Sequence, residues 1–446
     1  MLLRKAWSLA IETLSWIELQ HLGERLALTR AAEQLRIQDA KAVGLAHKLV
    51  LETLRRRNLL DFVINQALAP NTLEDFKLGP QAFLRLFTYE TRFGHSGLAK
   101  AESIAKLGRS VLGWRTLKEA EKALGRVLGV QLDGNLKKAN SEERVALLTN
   151  NPLWFVKYCF RLLGRSDGLR FLEGTMNQPS IYLRVNLLRA SEEHILEKLK
   201  SEGIRIEKVS NLKHTYRLLE TRKPLVRTRS FHEGLFYIQD MASCLAAEIA
   251  NPKSNMIVLD VCAAPGAKTS YMAQLMQNKG NIFSIDYSRR RMNVWQRQVK
   301  RMGVKIAVPF IADACHTLPL KLSADLVILD PPCTSTGTFS KTPSAKWRLT
   351  KRSGFHMAQT QWKMLRQCAE HVKEEGHLIY STCSITLEEN EMLVERFLKW
   401  YPEFTLVETQ PRIGLSGLRG QAECQRLYPH LHNCNGFFIA KLWKTG

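Results

Sequence analysis

The sequence predicts an α/β fold: a doubly wound, mostly parallel sheet preceded by an all-helical segment and a small α+β module. Three observations predict it. From about residue 232 onward, short apolar runs alternate with helical patterns. Through the first 147 residues, apolar positions recur at spacings of three and four. Between them, a strand-like alternation is followed by a capped helical pattern. The expected division is 1–147, 148–231 and 232–446.

In the front segment, Ala6, Leu9, Ala10 and Leu14 share a helix face, as do Ala42, Leu45, Ala46 and Leu49. Ala69-Pro70-Asn71 and Leu78-Gly79-Pro80 read as turns. Arg55, Arg56 and Arg57 form a basic knot that is either a solvated face or a contact for a polyanion. In the middle module, Asn151-Pro152-Leu153-Trp154 opens a helix expected to reach Leu163. Residues 181–190 alternate like a strand, and Ser191 caps a helix that ends near Gly203. The strands expected in the last segment are 256–262, 281–287, 306–313, 324–332, 376–384 and 436–443, the last of them antiparallel.

Lys and Arg number 65 against 42 Asp and Glu, a formal charge of +23. An excess of this size implies a polyanionic partner, nucleic acid before an anionic membrane. No run of about 18 apolar residues is present, so no membrane span is expected. The N-terminus carries Glu12 and Glu18 within its apolar part and reads as an amphipathic helix, not a signal peptide. Nine cysteines contain no CxxC pair, which argues against a metal site and for the reducing cytoplasm.

In a doubly wound sheet, ligands sit beyond the carboxyl ends of the strands. The first strand ends in Asp260-Val261-Cys262-Ala263-Ala264-Pro265-Gly266-Ala267-Lys268-Thr269. Its small residues admit a ligand close to the backbone, yet it matches neither the GxGxxG nor the Walker pattern. Asp286 closes the second strand, where a carboxylate can accept both hydroxyls of a ribose. Asp313 closes the third, suited to an adenine amino group, and Asp330 closes the fourth. An adenosine-bearing cofactor without a phosphate chain fits this set, S-adenosylmethionine better than NAD.

Two cysteines also lie at strand ends: Cys333 in Asp330-Pro331-Pro332-Cys333 and Cys383 in Ser381-Thr382-Cys383-Ser384. A thiolate beside a methyl donor suits one reaction in particular. Carbon 5 of cytosine is a poor nucleophile until a thiolate adds to carbon 6 and makes the ring an enamine. Lys268 would favour the thiolate, and Asp330 would stabilise the adduct near ring nitrogen 3 and the 4-amino group. A further group must then help to break the adduct.

These residues, DVCAAPGAKT, DPPC and YSTCS, together with a terminal NGFF strand, resemble the Sun family of RNA cytosine-5 methyltransferases, in its RsmB-like branch. The similarity covers most of 150–446 and implies a Rossmann-like methyltransferase sheet. It implies that Cys383 is the nucleophile, that Cys333 assists product release, and that Lys268 and Asp330 complete the catalytic set. It implies that Cys262, Ala263, Ala264, Pro265, Gly266, Ala267 and Lys268 wrap the methionine moiety, with Asp286, Arg291, Asp313 and Asp330 contributing to cofactor binding. Gln239-Asp240 would line the cofactor side. Arg426 and His430 fall near the active site without an assigned role. Two positions depart from the family: Ala267 where a second glycine is usual, and Asn435 where an aspartate is usual. Ala267 is tolerable if its φ is negative. The front segment resembles a NusB-like RNA-binding domain, and the middle module an RRM-like extension without aromatic RNP signatures. The partner implied is RNA, ribosomal before transfer, acted on by a monomer. An amino-group methyltransferase would have an aromatic residue at Cys333 and leave Cys383 idle. A DNA enzyme would also leave Cys383 unexplained. A non-catalytic RNA-binding factor would be expected to have lost a cysteine or a cofactor acid.

Overall fold

The structure is a computed structural model that describes residues 1–94, 98–132, 140–177 and 179–446. The chain forms two compact units. Met1–Asn177 with Phe339–Lys351 makes one, and Gln178–Thr338 with Arg352–Gly446 makes the other.

The first unit is helical. Leu2–Gln20, Glu24–Gln34, Ala40–Arg55, Arg57–Leu68 and Leu78–Arg92 are its leading helices. They bury the predicted stripe, Ala6, Leu9, Ala10 and Leu14, against Leu49, Leu60, Phe83 and Phe87. Helix Ala101–Leu112 packs closely because Gly108 has no side chain; a Cβ there would lie 2.3 Å from the Phe83 ring. The basic knot is neutralised within the unit: Arg55 and Arg56 pair with Glu52, and Arg57 reaches Glu18 at 2.7 Å. Leu153–Gly174, expected to open the middle module and to end at Leu163, runs longer and lies in this unit. It is two helical pieces joined at Gly164, whose φ of 78° breaks the helix.

Residues 339–351 were expected within the last segment, yet they fold into the helical unit. Trp347 Nε1 donates to the Leu54 carbonyl at 2.7 Å, and the Ser344 amide donates to Glu24 at 2.7 Å. Phe339 meets Phe155 edge-on at 4.8 Å. Lys346 is wholly buried, with its ammonium on the Asn150 carbonyl at 3.1 Å, and burial pulls its pKa down to about 7.

The second unit begins with four antiparallel strands, β1 (Tyr182–Val185), β2 (Ile204–Lys208), β3 (Thr215–Thr221) and β4 (Phe236–Ile238), in the order β2-β3-β1-β4. Helix Glu192–Ser201 joins β1 to β2, and the short helix Arg229–His232 precedes β4. This is the β-α-β-β-α-β arrangement of ferredoxin-like and RRM-like modules. Ser191 caps the first helix through the His194 amide, as the sequence indicates. The strand expected over 181–190 stops at Val185. There the Asn186 side chain takes over, donating to the carbonyls of Gly234 and Met302 and accepting from the Leu188 amide.

The main sheet contains β5 (Ile257–Val261), β6 (Asn281–Asp286), β7 (Ala307–Ile311), β8 (Ala324–Leu329), β9 (Val372–Thr382), β10 (Phe404–Val407), β11 (Leu415–Ser416), β12 (Gln425–Leu427) and β13 (Phe437–Lys444). The order is β11-β12-β13-β9-β8-β5-β6-β7, with β10 also on β13. β5 to β9 are parallel, and β13 runs antiparallel to β9, as expected of the last strand. Alternate residues face opposite layers. Leu259, Val261, Val327 and Leu329 pack on Leu365 and Phe397, whereas Val258, Leu326 and Ile328 pack on Leu245 and Met272. The chain moves outward from β5 through β6 to β7, then returns to place β8 on the other side of β5. That reversal puts the switch point, where such sheets bind ligands, between β5 and β8.

Candidate active site

A cavity of about 120 Å³ opens at this switch point, lined by Ser243, Asp260, Cys262, Ala263, Ala264, Pro265, Ala267, Lys268 and Asp330. Three alanines keep it open, and the loop beneath is made by two left-handed residues, Cys262 at φ 64° and Gly266 at φ 101°. A Cβ on Gly266 would press on Trp295 at 3.2 Å. Ala267, the departure from the family, begins helix Ala267–Leu275 and is not among the residues with positive φ, so a methyl is tolerated there.

Asp286 and Arg291 brace this loop. The Asp286 carboxylate accepts from the Ala264 and Ser288 amides and pairs with Arg291 at 3.2 Å, while Arg291 donates to the Ala264 carbonyl at 2.6 Å. Asp313 lies apart, half-exposed beyond β7, capping the Cys315 amide at 2.9 Å. Neither Asp286 nor Asp313 lines the cavity. Gln239 and Asp240 stand behind it. Gln239 donates to Ser243, a lining residue, and Asp240 holds the Asn435 amide at 3.3 Å.

Asp260 is fully buried under the loop, accepting from Thr269 at 2.5 Å, and burial pushes its pKa up to about 7 from 3.8. Between about pH 4 and 7 the folded chain therefore holds a proton that the unfolded chain has lost. Stability falls as pH rises through that window. From pH 5 to 7 the loss is about 2–3 kcal/mol. Asp260→Asn is expected to flatten this decline in urea unfolding measured at the two pH values. An equally steep decline in the variant would show that the dependence arises elsewhere.

The residues expected to be catalytic meet beside the cavity. The Lys268 ammonium pairs with the Asp330 carboxylate, which also accepts from Ser381 at 3.4 Å. Cys333 and Cys383, fifty residues apart in sequence, have sulfurs 3.2 Å apart. Ser335 lies 3.4 Å from the Cys383 sulfur. The contact moves the two thiols in opposite directions. The hydrogen bond from Cys333 holds the Cys383 thiol below its ordinary range, while that same bond, with burial, pushes Cys333 well above. Burial also pushes Cys262 up. Of these three, only Cys383 is shifted toward ionisation.

The support for the two cysteines was not anticipated. Glu389 is completely buried and accepts from the Thr334 amide and hydroxyl, from Ser384, Thr386 and from Gln361. Thr334 follows Cys333 and Ser384 follows Cys383, so one carboxylate holds both loops. Asn390 ties the Thr382 hydroxyl at 2.6 Å and the Ser384 carbonyl at 2.9 Å. Arg426 is buried in an ion pair with Glu391 and donates to the Ile385 carbonyl at 2.9 Å, which makes it an anchor of this loop. The His430 ring lies tilted beside Tyr428, centroids 5.9 Å apart. The sequence signal was the run Glu388-Glu389-Asn390-Glu391, which reads as an ordinary helix N-terminus. Among the described residues, no group of three or more His, Cys, Asp or Glu could hold a metal, and no helix is long and apolar enough to cross a membrane.

Comparison with known proteins agrees with this geometry. The family described as 16S rRNA methyltransferase RsmB/F matches residues 247–443. A probable ribosomal RNA small subunit methyltransferase B of Bacillus subtilis is 28% identical, covering 98% of each chain. A tRNA (cytosine(72)-C(5))-methyltransferase of Pyrococcus horikoshii is 36% identical over 50% of this chain and 55% of its own. Among solved structures, PH0851 superposes with a TM-score of 0.83 at 27% identity, covering 99% of each chain. A methyltransferase homolog from Pyrococcus horikoshii gives 0.63 at 30% identity, over 69% of this chain and 99% of that one. NSun6 from the same organism, solved with SFG, an S-adenosylmethionine analogue, gives 0.62 at 25% identity over 66% and 98%. Fold and site together define a Rossmann-like methyltransferase acting on RNA. The matched region takes in both cysteine loops and the loop between β5 and its helix. The chain belongs to the Sun family of RNA cytosine-5 methyltransferases.

Proposed function

We propose that the chain methylates a cytosine of ribosomal RNA at carbon 5, using S-adenosylmethionine, with Cys383 as nucleophile and Cys333 freeing the product. The observation that carries this reading is the pair of sulfurs 3.2 Å apart, a contact that holds the Cys383 thiol below its ordinary range. S-adenosylmethionine would supply a methyl group on a sulfonium. Cys262 to Lys268 would hold it in the cavity, with Asp286 and Arg291 stiffening that loop from behind and Asp313 standing at the adenine edge.

In this mechanism the Cys383 thiolate bonds to carbon 6, and the electron pair of the 5,6 double bond becomes available at carbon 5. Asp330, held by Lys268, hydrogen-bonds ring nitrogen 3 and the 4-amino group and stabilises the charge that develops there. Once carbon 5 carries the methyl, its proton passes to a base. The carbon 6–sulfur bond then breaks, and the double bond re-forms. Cys333, beside the departing sulfur, assists that last step.

Ribosomal RNA is favoured because the small-subunit relative matches over nearly the full length of both chains, helical unit included, whereas the transfer-RNA relative matches half. The segments 1–147 and 148–231 would bind the RNA and 232–446 would carry the chemistry. The test is transfer of labelled methyl from S-adenosylmethionine to small-subunit ribosomal RNA and to transfer RNA, with bisulfite sequencing of both. A protected cytosine in the ribosomal transcript is expected. Label on an amino group, or on transfer RNA alone, would overturn the reading.

A further inference from the structure

Helix Arg289–Met302, which follows β6, differs from the other surface helices in its charge. Its buried face is Met292, Trp295, Val299 and Met302. Its exposed face carries Arg289, Arg290, Arg297 and Lys300, interleaved with Arg291, Asn293 and Gln296. The helix contains no acidic residue. Several exposed cations on other helices have carboxylates beside them, as in Lys106 with Glu102, Lys122 with Glu119, and Lys399 with Glu395. Of the six cations of this helix, Arg291 pairs with Asp286, whereas Arg289, Arg290, Arg297 and Lys300 have no carboxylate within ion-pair distance among the described residues.

Two of these cations stand in the first turn, where the helix dipole disfavours positive charge and a carboxylate would stabilise the helix. They are therefore not there for the helix itself. The position is also informative. The helix starts three residues after Asp286, at the carboxyl edge of the sheet where the active site opens. At its other end, Arg301 donates to the carbonyls of Phe231 and Phe236, and Arg189 donates to the carbonyls of Lys300 and Arg301. The stripe thus runs from the site's edge to the small four-stranded module.

We propose that this stripe is a track for the phosphate backbone of the substrate RNA, flanking the target cytosine. The inference rests on the chain's action on RNA and adds the surface that holds it. Unpaired cations in a row match a chain of phosphates, and the two amides offer further donors to phosphate or ribose oxygens. The stripe supplies affinity and register; base identity is read elsewhere.

The test compares the full-length chain with a variant in which Arg289, Arg290, Arg297 and Lys300 are all replaced by Gln, which preserves helix propensity. Affinity for a small-subunit ribosomal RNA transcript is measured without cofactor over a range of salt concentrations. Each lost phosphate contact should reduce the slope of log affinity against log salt by about one, so a decrease of about three to four is expected. Affinity at roughly 0.1 M salt should fall at least tenfold. A second variant, Lys399→Gln with Arg419→Gln, removes cations that share Glu395 and should change the affinity less than twofold. Unchanged affinity and slope in the first variant would overturn the proposal. So would loss of binding to phosphatidylglycerol vesicles with RNA affinity intact, which would make this a membrane face. Either outcome leaves wild-type methyl transfer in place, whereas failure of the functional reading would show as its absence.

Discussion

Cys383→Ala is expected to abolish methyl transfer, and Cys333→Ala to leave RNA bonded to the protein. The two cysteines are nearly symmetric in distance but not in protonation. The contact between the sulfurs lowers the Cys383 thiol below its ordinary range and raises Cys333 well above it, so Cys383 ionises first. Without that thiolate, carbon 5 of cytosine has no electron density to offer, and the rate should fall by roughly 10,000-fold or more, as for other covalent nucleophiles. In Cys333→Ala the first bond still forms, because Cys383 keeps Ser335 at 3.4 Å as a second hydrogen-bond partner. Release is what slows. Labelled RNA should then migrate with the protein on a denaturing gel after incubation with S-adenosylmethionine, and Cys383→Ala should show no such band. If the band appeared with Cys383→Ala and not with Cys333→Ala, the two roles would be exchanged.

Glu389→Ala should cost both stability and rate. The carboxylate is completely buried and accepts from five donors on two loops and one helix. Removing it leaves those donors facing a cavity, and each buried polar group without a partner costs about 1–3 kcal/mol. Partial rearrangement among Thr334, Ser384 and Thr386, which already touch one another at 3.0 Å or so, will recover part of this. A net loss of about 3–5 kcal/mol is expected in urea unfolding. The loops that carry the sulfurs would also lose their common anchor. A displacement of about 1 Å at a reacting atom costs about a hundredfold in rate. The folded fraction of the variant should therefore show kcat reduced by that order, while binding of S-adenosylmethionine changes little. A variant that melts early yet turns over within threefold of the parent would show that Glu389 serves stability alone.

The legibility of this molecule in its sequence varied with the length scale of the signal. The parallel strands were readable because both faces are covered, which forces nearly continuous apolar runs, such as Ile257–Val261 and Ala324–Leu329, each broken by one aspartate. β9 was read short at its start because Lys373-Glu374-Glu375-Gly376 is polar and Glu375 adopts a φ of 59°. The cysteines were readable because they close strands, where chemistry collects. Glu389, Asn390 and Gln361 were not. A buried carboxylate that accepts five hydrogen bonds looks, in sequence, like any acid at a helix start. The aspartates at the strand ends were seen, but not their different geometry. Asp286 is buried and bonded to its own loop and Asp313 is half-exposed, a distinction made by side-chain surroundings and not by spacing.

The excursion of residues 339–351 has a practical consequence for dissecting the protein. The polypeptide crosses from one unit to the other and back again shortly after Cys333, so no single cut separates them. Deleting the first 177 residues would strand Phe339 and Trp347, which are covered by those helices. An isolated catalytic half would carry a sticky, unsupported flap between Thr338 and Arg352. A workable truncation must replace that flap with a short polar linker, and poor yield from a simple deletion would say nothing about where the chemistry resides.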